Sequence, residues 1–208
     1  MTPRLKTAIL ISGRGSNMEA LIEAARDPGY PADIALVLSN RADATGLASA
    51  RAEGIEAIAI PHRDFPSREA FDERLSAELE RRGIELVALA GFMRILSPAF
   101  IRQWAGRLVN IHPSLLPKYP GLDTHARAIA AGDREAGCSV HEVTEILDGG
   151  PLVAQQEVPI LPGDTVETLA ARVLEAEHRL YPQALAQHAR ALGARAKLGS
   201  ADALPGSA

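Results

Sequence analysis

Cysteine is almost absent: Cys138 stands alone among 208 residues. No internal disulfide can form, and a reducing compartment is the natural setting. Basic residues are also in short supply, with 22 Lys+Arg against 26 Asp+Glu and a formal net charge of -4. A chain that grips nucleic-acid backbone needs the opposite surplus, so no nucleic-acid partner is expected. No stretch reaches the roughly 18 apolar residues that span a bilayer. The opening MTPRLKTAIL lacks an apolar run of signal-peptide length ahead of a cleavage site. These absences describe a cytoplasmic chain without a membrane partner. What remains is ordinary globular material, 47% hydrophobic and 23% charged, enough for one α/β domain with a sizeable core.

Short apolar runs alternate with helical patterns through the first half. Thr7–Ile11 is apolar and bounded by Ser-Gly, as a buried parallel strand would be. Further strands fit Ile34–Leu38, Ala57–Ile60 and Leu86–Ala90, with helices over Asn17–Arg26, Ala44–Glu53 and Arg68–Arg82. This rhythm predicts a doubly wound, mostly parallel sheet with helices on both faces, a Rossmann-like single domain. The second half is irregular: strands over Arg107–Ile111, Ser139–Val143 and Val153–Ile160 are joined by Gly- and Pro-rich segments, and a last helix fits Val166–Arg190. From Gly193 the chain is rich in Ala, Gly and Ser and reads as a frayed tail.

Two places carry chemistry. Between the first strand and first helix stands Ser12-Gly13-Arg14-Gly15-Ser16-Asn17. Glycines let the backbone approach a ligand closely, and a helix N-terminus offers free N–H groups and a positive dipole end, together a phosphate site. Ser16 or Asn17 could cap that helix. A Walker loop is excluded because no Gly-Lys-Ser/Thr follows. A dinucleotide fingerprint fails where Met18 replaces its third glycine, although Arg41 keeps a 2′-phosphate cofactor in view. An ordinary tight turn would also fit the loop.

The second place is Asn110-Ile111-His112-Pro113. Alternation along a strand puts Asn110 and His112 on one face and Ile111 on the other. An amide donor beside an imidazole suits acyl chemistry, because both can hydrogen-bond the oxygen of a tetrahedral intermediate. Asp148-Gly149-Gly150 forms a turn whose carboxylate, if it reaches His112, would favour the imidazolium. Cys138, His141, His125 and His112 cluster in sequence as candidate zinc ligands. In a strand, however, Cys138 and His141 point to opposite faces, so no metal is expected, and Cys138 reads as a small buried residue.

Taken together, SGRGSN, AGFMRILSPAF at 90–100, GRLVNIHPSLLPKYPGLDTH at 106–125, SVHEVTEILDGGP at 139–151 and EHRLYP at 177–182 resemble the folate-dependent phosphoribosylglycinamide formyltransferases, a branch of the formyltransferase family. The resemblance covers roughly residues 6 to 185. It implies one formyltransferase domain over 1–192, whose N-terminal half binds the ribonucleotide phosphate and whose C-terminal half carries the folate and catalytic site, followed by a flexible tail over 193–208. It further implies a monomer or homodimer that takes glycinamide ribonucleotide and 10-formyltetrahydrofolate as small-molecule substrates, with no metal.

By position, Asn110, His112 and Asp148 match the catalytic trio. Gly15, Ser16 and Asn17 match the phosphate loop, and Glu177 matches a ribonucleotide contact. Arg68, Met93, Arg94, Ile95 and Leu96 match the folate side, joined there by Asn110, with Val143 to Leu147 flanking the pterin. The resemblance also implies a cis Leu116-Pro117 bond. The chain departs from the pattern at Asp123, where many relatives carry histidine, and at Cys138, where threonine is commoner. A transfer-RNA formylating enzyme would normally add a basic C-terminal domain. A formylfolate hydrolase would add an N-terminal regulatory one. A silent phosphate-binding module would leave the trio a coincidence.

Overall fold

The computed structural model describes residues 4–201. It opens with β1 (Leu5–Ile11), α1 (Ser16–Ala25), β2 (Ala32–Ser39), α2 (Gly46–Ala52) and β3 (Glu56–Ala59). The long helix α3 (Arg68–Arg81), β4 (Leu86–Leu89), the short helix α4 (Pro98–Gln103) and β5 (Leu108–His112) follow. α5 (Thr124–Ala130), the strands β6 (Glu135–Glu142) and β7 (Leu152–Pro159), and α6 (Val166–Ala201) complete it. The seven strands form one sheet in the order β3-β2-β1-β4-β5-β6-β7. From β3 to β5 all pairs are parallel, while β6 runs antiparallel to β5 and β7 antiparallel to β6.

Strand character follows from burial on both faces. Ala8, Ile9, Leu10 and Ile11 are all fully buried, because β1 sits between β2 and β4 with a helical layer on each side. One core lies between the sheet and α1, α2 and α6, built on Ile9, Ile11, Leu21, Val37, Val109, Val140, Val173 and Leu185. The other lies under α3 and α4, built on Leu10, Leu36, Phe71, Leu75, Leu79, Val87, Phe100 and Trp104. The periodic residues Phe71, Leu75 and Leu79 make α3 amphipathic, and Ser67 caps it by accepting the Ala70 N–H at 3.1 Å. Several polar groups inside these layers are paired. Trp104 Nε1 donates to Ser76 Oγ at 2.9 Å, and the Tyr181 hydroxyl of α6 donates to Leu89 O at 2.9 Å, so α6 is bonded to the end of β4.

Three sequence expectations need adjusting. The last helix does not stop at Arg190 but continues to Ala201. The Ala, Leu and Arg content of this stretch outweighs its glycines, each of which costs a helix only about 1 kcal/mol. Part of the expected tail is therefore helical; residues 202–208 lie outside the described residues. β6 begins at Glu135, four residues earlier than expected, because Gly137 masks strand propensity while the antiparallel pairing with β7 holds Glu135 opposite Pro159. Finally, neither Ser16 nor Asn17 caps α1. Its N-cap is Gly15, in the left-handed region, with no side-chain hydrogen bond. Among the described residues no helix is long and apolar enough to cross a membrane.

Candidate active site

The strand order reverses at β1 and β4, and ligands of open α/β sheets bind at the carboxyl ends of such a switch point. A cleft of about 380 Å³ opens there, lined by the Ser12–Asn17 loop, Asn40, Arg41, His62, Gly91 and Met93. Its floor is the turn into α1. Gly15 has φ 78°, and a Cβ there would also meet the Met18 side chain at 3.1 Å. A glycine is thus required for the turn that leaves the first N–H groups of α1 open. Asn17 points inward instead of capping: its Nδ2 donates to Glu177 Oε2 at 2.6 Å, across 160 residues of chain. Burial raises the Glu177 pKa, and the bond from Asn17 only partly offsets this. Asn17 Oδ1 is buried without a partner among the described residues, an acceptor waiting for a hydroxyl or amine.

The second polar centre lies where β5 meets β6. Register sets it: Asn110 stands opposite His141 and His112 opposite Ser139, so alternate residues of two antiparallel strands share one face. The turn after β6 then brings Asp148 over both histidines. His112 Nδ1 is 3.4 Å from Asp148 Oδ2, and His141 Nε2 is 3.5 Å from Asp148 Oδ1. Asp148 sits at φ 51° and also accepts the Gly121 N–H at 2.8 Å. Burial would raise its pKa. Hydrogen bonds from His141 and Gly121, with the charges of the two imidazoles, outweigh burial and hold it below the ordinary carboxylate value.

The other nitrogen of His112, Nε2, meets Tyr119 O at 2.9 Å. Both ring nitrogens therefore face oxygen atoms, Tyr119 O on one side and the Asp148 carboxylate on the other. The segment that supplies Tyr119 turns through a cis Leu116-Pro117 bond, in agreement with the resemblance. His141 Nδ1 meets Glu142 O at 2.9 Å, while its Nε2 lies 3.3 Å from Asn110 Nδ2. An amide and an imidazole are thus held side by side, and the imidazole also faces the Asp148 carboxylate.

Among the remaining sequence candidates, Met93 and Ile95 are strongly exposed, as are Ile146 and Leu147, and Met93 lines the cleft. Arg94 stacks on Phe71 with its guanidinium carbon 4.9 Å from the ring centroid, and its charge and that of Arg68 both act on the buried Asp72. Leu96 is buried in the α3 core, so its side chain serves packing, and Val143 packs against the same cluster. Asp123 occupies the N-cap of α5 without a side-chain cap. Cys138 is buried on the α6 side of β6, where burial pushes its thiol up to about 12. Among the described residues no group of three or more His, Cys, Asp or Glu is arranged to hold a metal ion.

Sequence reasoning did not assign His141, Tyr119 or Gly121 to the site. For His141 the available signal was parity: once β5 and β6 are paired, His141 falls on the face of Asn110. For Tyr119 and Gly121 the contacts use main-chain atoms, which leave no mark on residue type.

Residues 5–185 match the family described as formyl transferase. The phosphoribosylglycinamide formyltransferase of Escherichia coli is 50% identical over 86% of this chain and 84% of its own length. The trifunctional purine biosynthetic protein adenosine-3 of Drosophila pseudoobscura pseudoobscura is 53% identical over 88% of this chain, which spans only 14% of that longer protein. Among solved structures, phosphoribosylglycinamide formyltransferase from Brucella melitensis superposes with a TM-score of 0.86 at 55% identity, covering 89% of this chain and 96% of that one. Glycinamide ribonucleotide transformylase 1 from Symbiobacterium toebii superposes with a TM-score of 0.88 at 43% identity, covering 90% and 89%. The chain therefore belongs to the formyl transferase family, among the phosphoribosylglycinamide formyltransferases.

Proposed function

We propose that this chain transfers the formyl group of 10-formyltetrahydrofolate to the amine of glycinamide ribonucleotide, giving formylglycinamide ribonucleotide and tetrahydrofolate for purine synthesis. The observation that carries this reading is the convergence of Asn110, His112 and Asp148, with His112 and Asp148 3.4 Å apart, beside a cleft floored by a helix N-terminus.

The ribonucleotide phosphate takes the N–H groups of Gly15, Ser16 and Asn17, and its sugar hydroxyls meet Asn17 Oδ1 and Glu177. The folate lies over Met93–Leu96 and Val143–Leu147, with Arg68 and Arg94 offering positive charge. The glycinamide amine attacks the formyl carbon, and a carbon–nitrogen bond forms as the carbonyl electrons move onto oxygen. His112 as imidazolium and the Asn110 amide donate to that oxyanion, the first giving up its bond to Tyr119 O. Asp148 orients the imidazole. The carbon–N10 bond then breaks, and the proton lost by the attacking amine goes to folate N10. No covalent enzyme intermediate is needed.

The test is an absorbance assay of folate product with and without the ribonucleotide. Release of tetrahydrofolate that depends on the ribonucleotide is the expected result. Release without it marks a hydrolase, and no release in either mixture overturns the reading.

A further inference from the structure

One chain of hydrogen bonds crosses the carboxyl ends of β2, β1 and β4, and the proposed chemistry does not use it. The Ser12 N–H donates to Gly91 O at 3.1 Å. In return the Met93 N–H donates to Ser12 Oγ at 2.7 Å. The Ser12 hydroxyl then donates to Asn40 Oδ1 at 2.6 Å, and Asn40 Nδ2 meets His62 Nδ1 at 3.2 Å. Ser12 is 7% exposed and Asn40 2%, so this hydroxyl works where water does not compete. A hydroxyl that accepts one bond while donating another is polarised by both, and each bond strengthens the other.

Position makes this more than a tie between strand ends. Strand order reverses between β1 and β4, so the Ser12–Met93 bond spans the ligand crevice itself. On one side Ser12 leads directly into Gly13–Asn17, the loop assigned to the phosphate. On the other, Gly91 and Met93 begin the segment through Leu96, which is assigned to the formyl donor. Ser12, Gly91 and Met93 line the same cleft. Besides the main-chain bond from Ser12 N–H to Gly91 O, the Ser12–Met93 bond is the one hydrogen bond among the described residues that joins Ser12 to the Gly91–Leu96 segment, and the one that uses the hydroxyl.

We propose that Ser12 is a positioning residue that couples the two substrate sites: with the phosphate loop filled, its hydroxyl holds the Gly91–Leu96 segment in place for the donor. The inference rests on the functional reading above. Coupling is reciprocal, so either ligand should raise the affinity for the other by the same factor.

The experiment is calorimetric titration of the full chain with tetrahydrofolate, in the presence and absence of glycinamide ribonucleotide. In the wild type the ribonucleotide should tighten tetrahydrofolate binding by at least about fivefold, the lower range of measured couplings. Ser12→Ala should reduce that factor to within about twofold of unity, while Ser12→Thr, which keeps the hydroxyl, should restore it. In steady state Ser12→Ala should raise KM for 10-formyltetrahydrofolate about tenfold with kcat within about threefold. A structural tie would lower the melting temperature and leave the coupling factor alone. That outcome, or a wild type that shows no coupling, overturns the proposal. If Ser12→Ala does not fold, Asn40→Ala is compared with Ser12→Thr: loss of coupling in the first and retention in the second supports the relay, and equal coupling in both overturns it. Transfer activity of the wild-type preparation separates the two claims. Absence of transfer fails the functional reading, whereas transfer with coupling unchanged in Ser12→Ala fails this inference alone.

Discussion

The parallel and antiparallel parts of the sheet contribute in different currencies. From β3 to β5 the strands run side by side and their loops deliver main-chain groups: the open N–H groups after Gly15 and the turn at Gly91. From β5 to β7 the strands reverse, and what arrives is side chains, Asn110 and His112 from one strand and His141 from its antiparallel neighbour. An antiparallel pair places residues of two strands directly opposite one another, so a cross-strand amide and imidazole can touch. A parallel pair separated by a helix instead turns its strand ends toward a crevice. On the proposed function, binding of the acceptor phosphate and chemistry on the formyl group fall to parts of the fold suited to each.

Variants in the two parts should separate accordingly. Asn110→Ala or His112→Ala should lower kcat by about 10²–10³, the usual loss of one oxyanion donor, with KM for either substrate changed far less; near-normal turnover would remove the assigned role. Next comes Gly150→Ala. A Cβ there would stand 1.8 Å from Glu142 O, so the turn carrying Asp148 must move away from the strand carrying His141. A loss of about 1–3 kcal/mol in urea unfolding, with kcat reduced, is expected, and an unaltered kcat would show that the Asp148 contacts are dispensable.

Gly15→Ala tests the other side. Holding alanine at φ 78° costs about 1–2 kcal/mol, and the displaced loop should raise KM for the ribonucleotide while kcat at saturation stays close to wild type. If kcat falls as steeply as in His112→Ala, the division between the two parts does not hold.

Glu177 gives a smaller effect with a definite sign. Burial raises its pKa in the fold, so the folded protein holds this proton more tightly than the unfolded chain. The resulting stability is fully present below the ordinary carboxylate value and is lost as pH rises through the raised one. Glu177→Gln should flatten that decline when unfolding is followed from pH 4 to pH 8, and should weaken ribonucleotide binding. An equal decline in both proteins would place the proton elsewhere. The smallest effect is expected of Cys138→Ala, since the thiol is fully buried in the core on the α6 side of β6: kcat should stay within about twofold, as befits an inert buried cysteine.

Legibility followed the range of the interactions. Helix α3 was readable to within one residue because Phe71, Leu75 and Leu79 repeat along a single element, and β1 because an apolar run needs no partner to be recognised. Helices α4 and α5, six and seven residues long, are too short for periodicity to register. In the site, Asn110 and His112 could be placed on one face by strand parity alone. Their link to His141 depends on pairing across 31 residues, and the bond from Ser12 to Asn40 depends on neighbours 28 apart. Neither register is written in local residue type. Tyr119 and Gly121 offer only a carbonyl and an N–H, so their side chains give no sign of these contacts.

The bond from Asn17 to Glu177 joins the first helix of the chain to the last. A ribosome delivers Asn17 early and Glu177 only after most of the sheet has been made. Until then the Asn17 amide lacks its carboxylate, and a chain broken before residue 177 carries half of the pair.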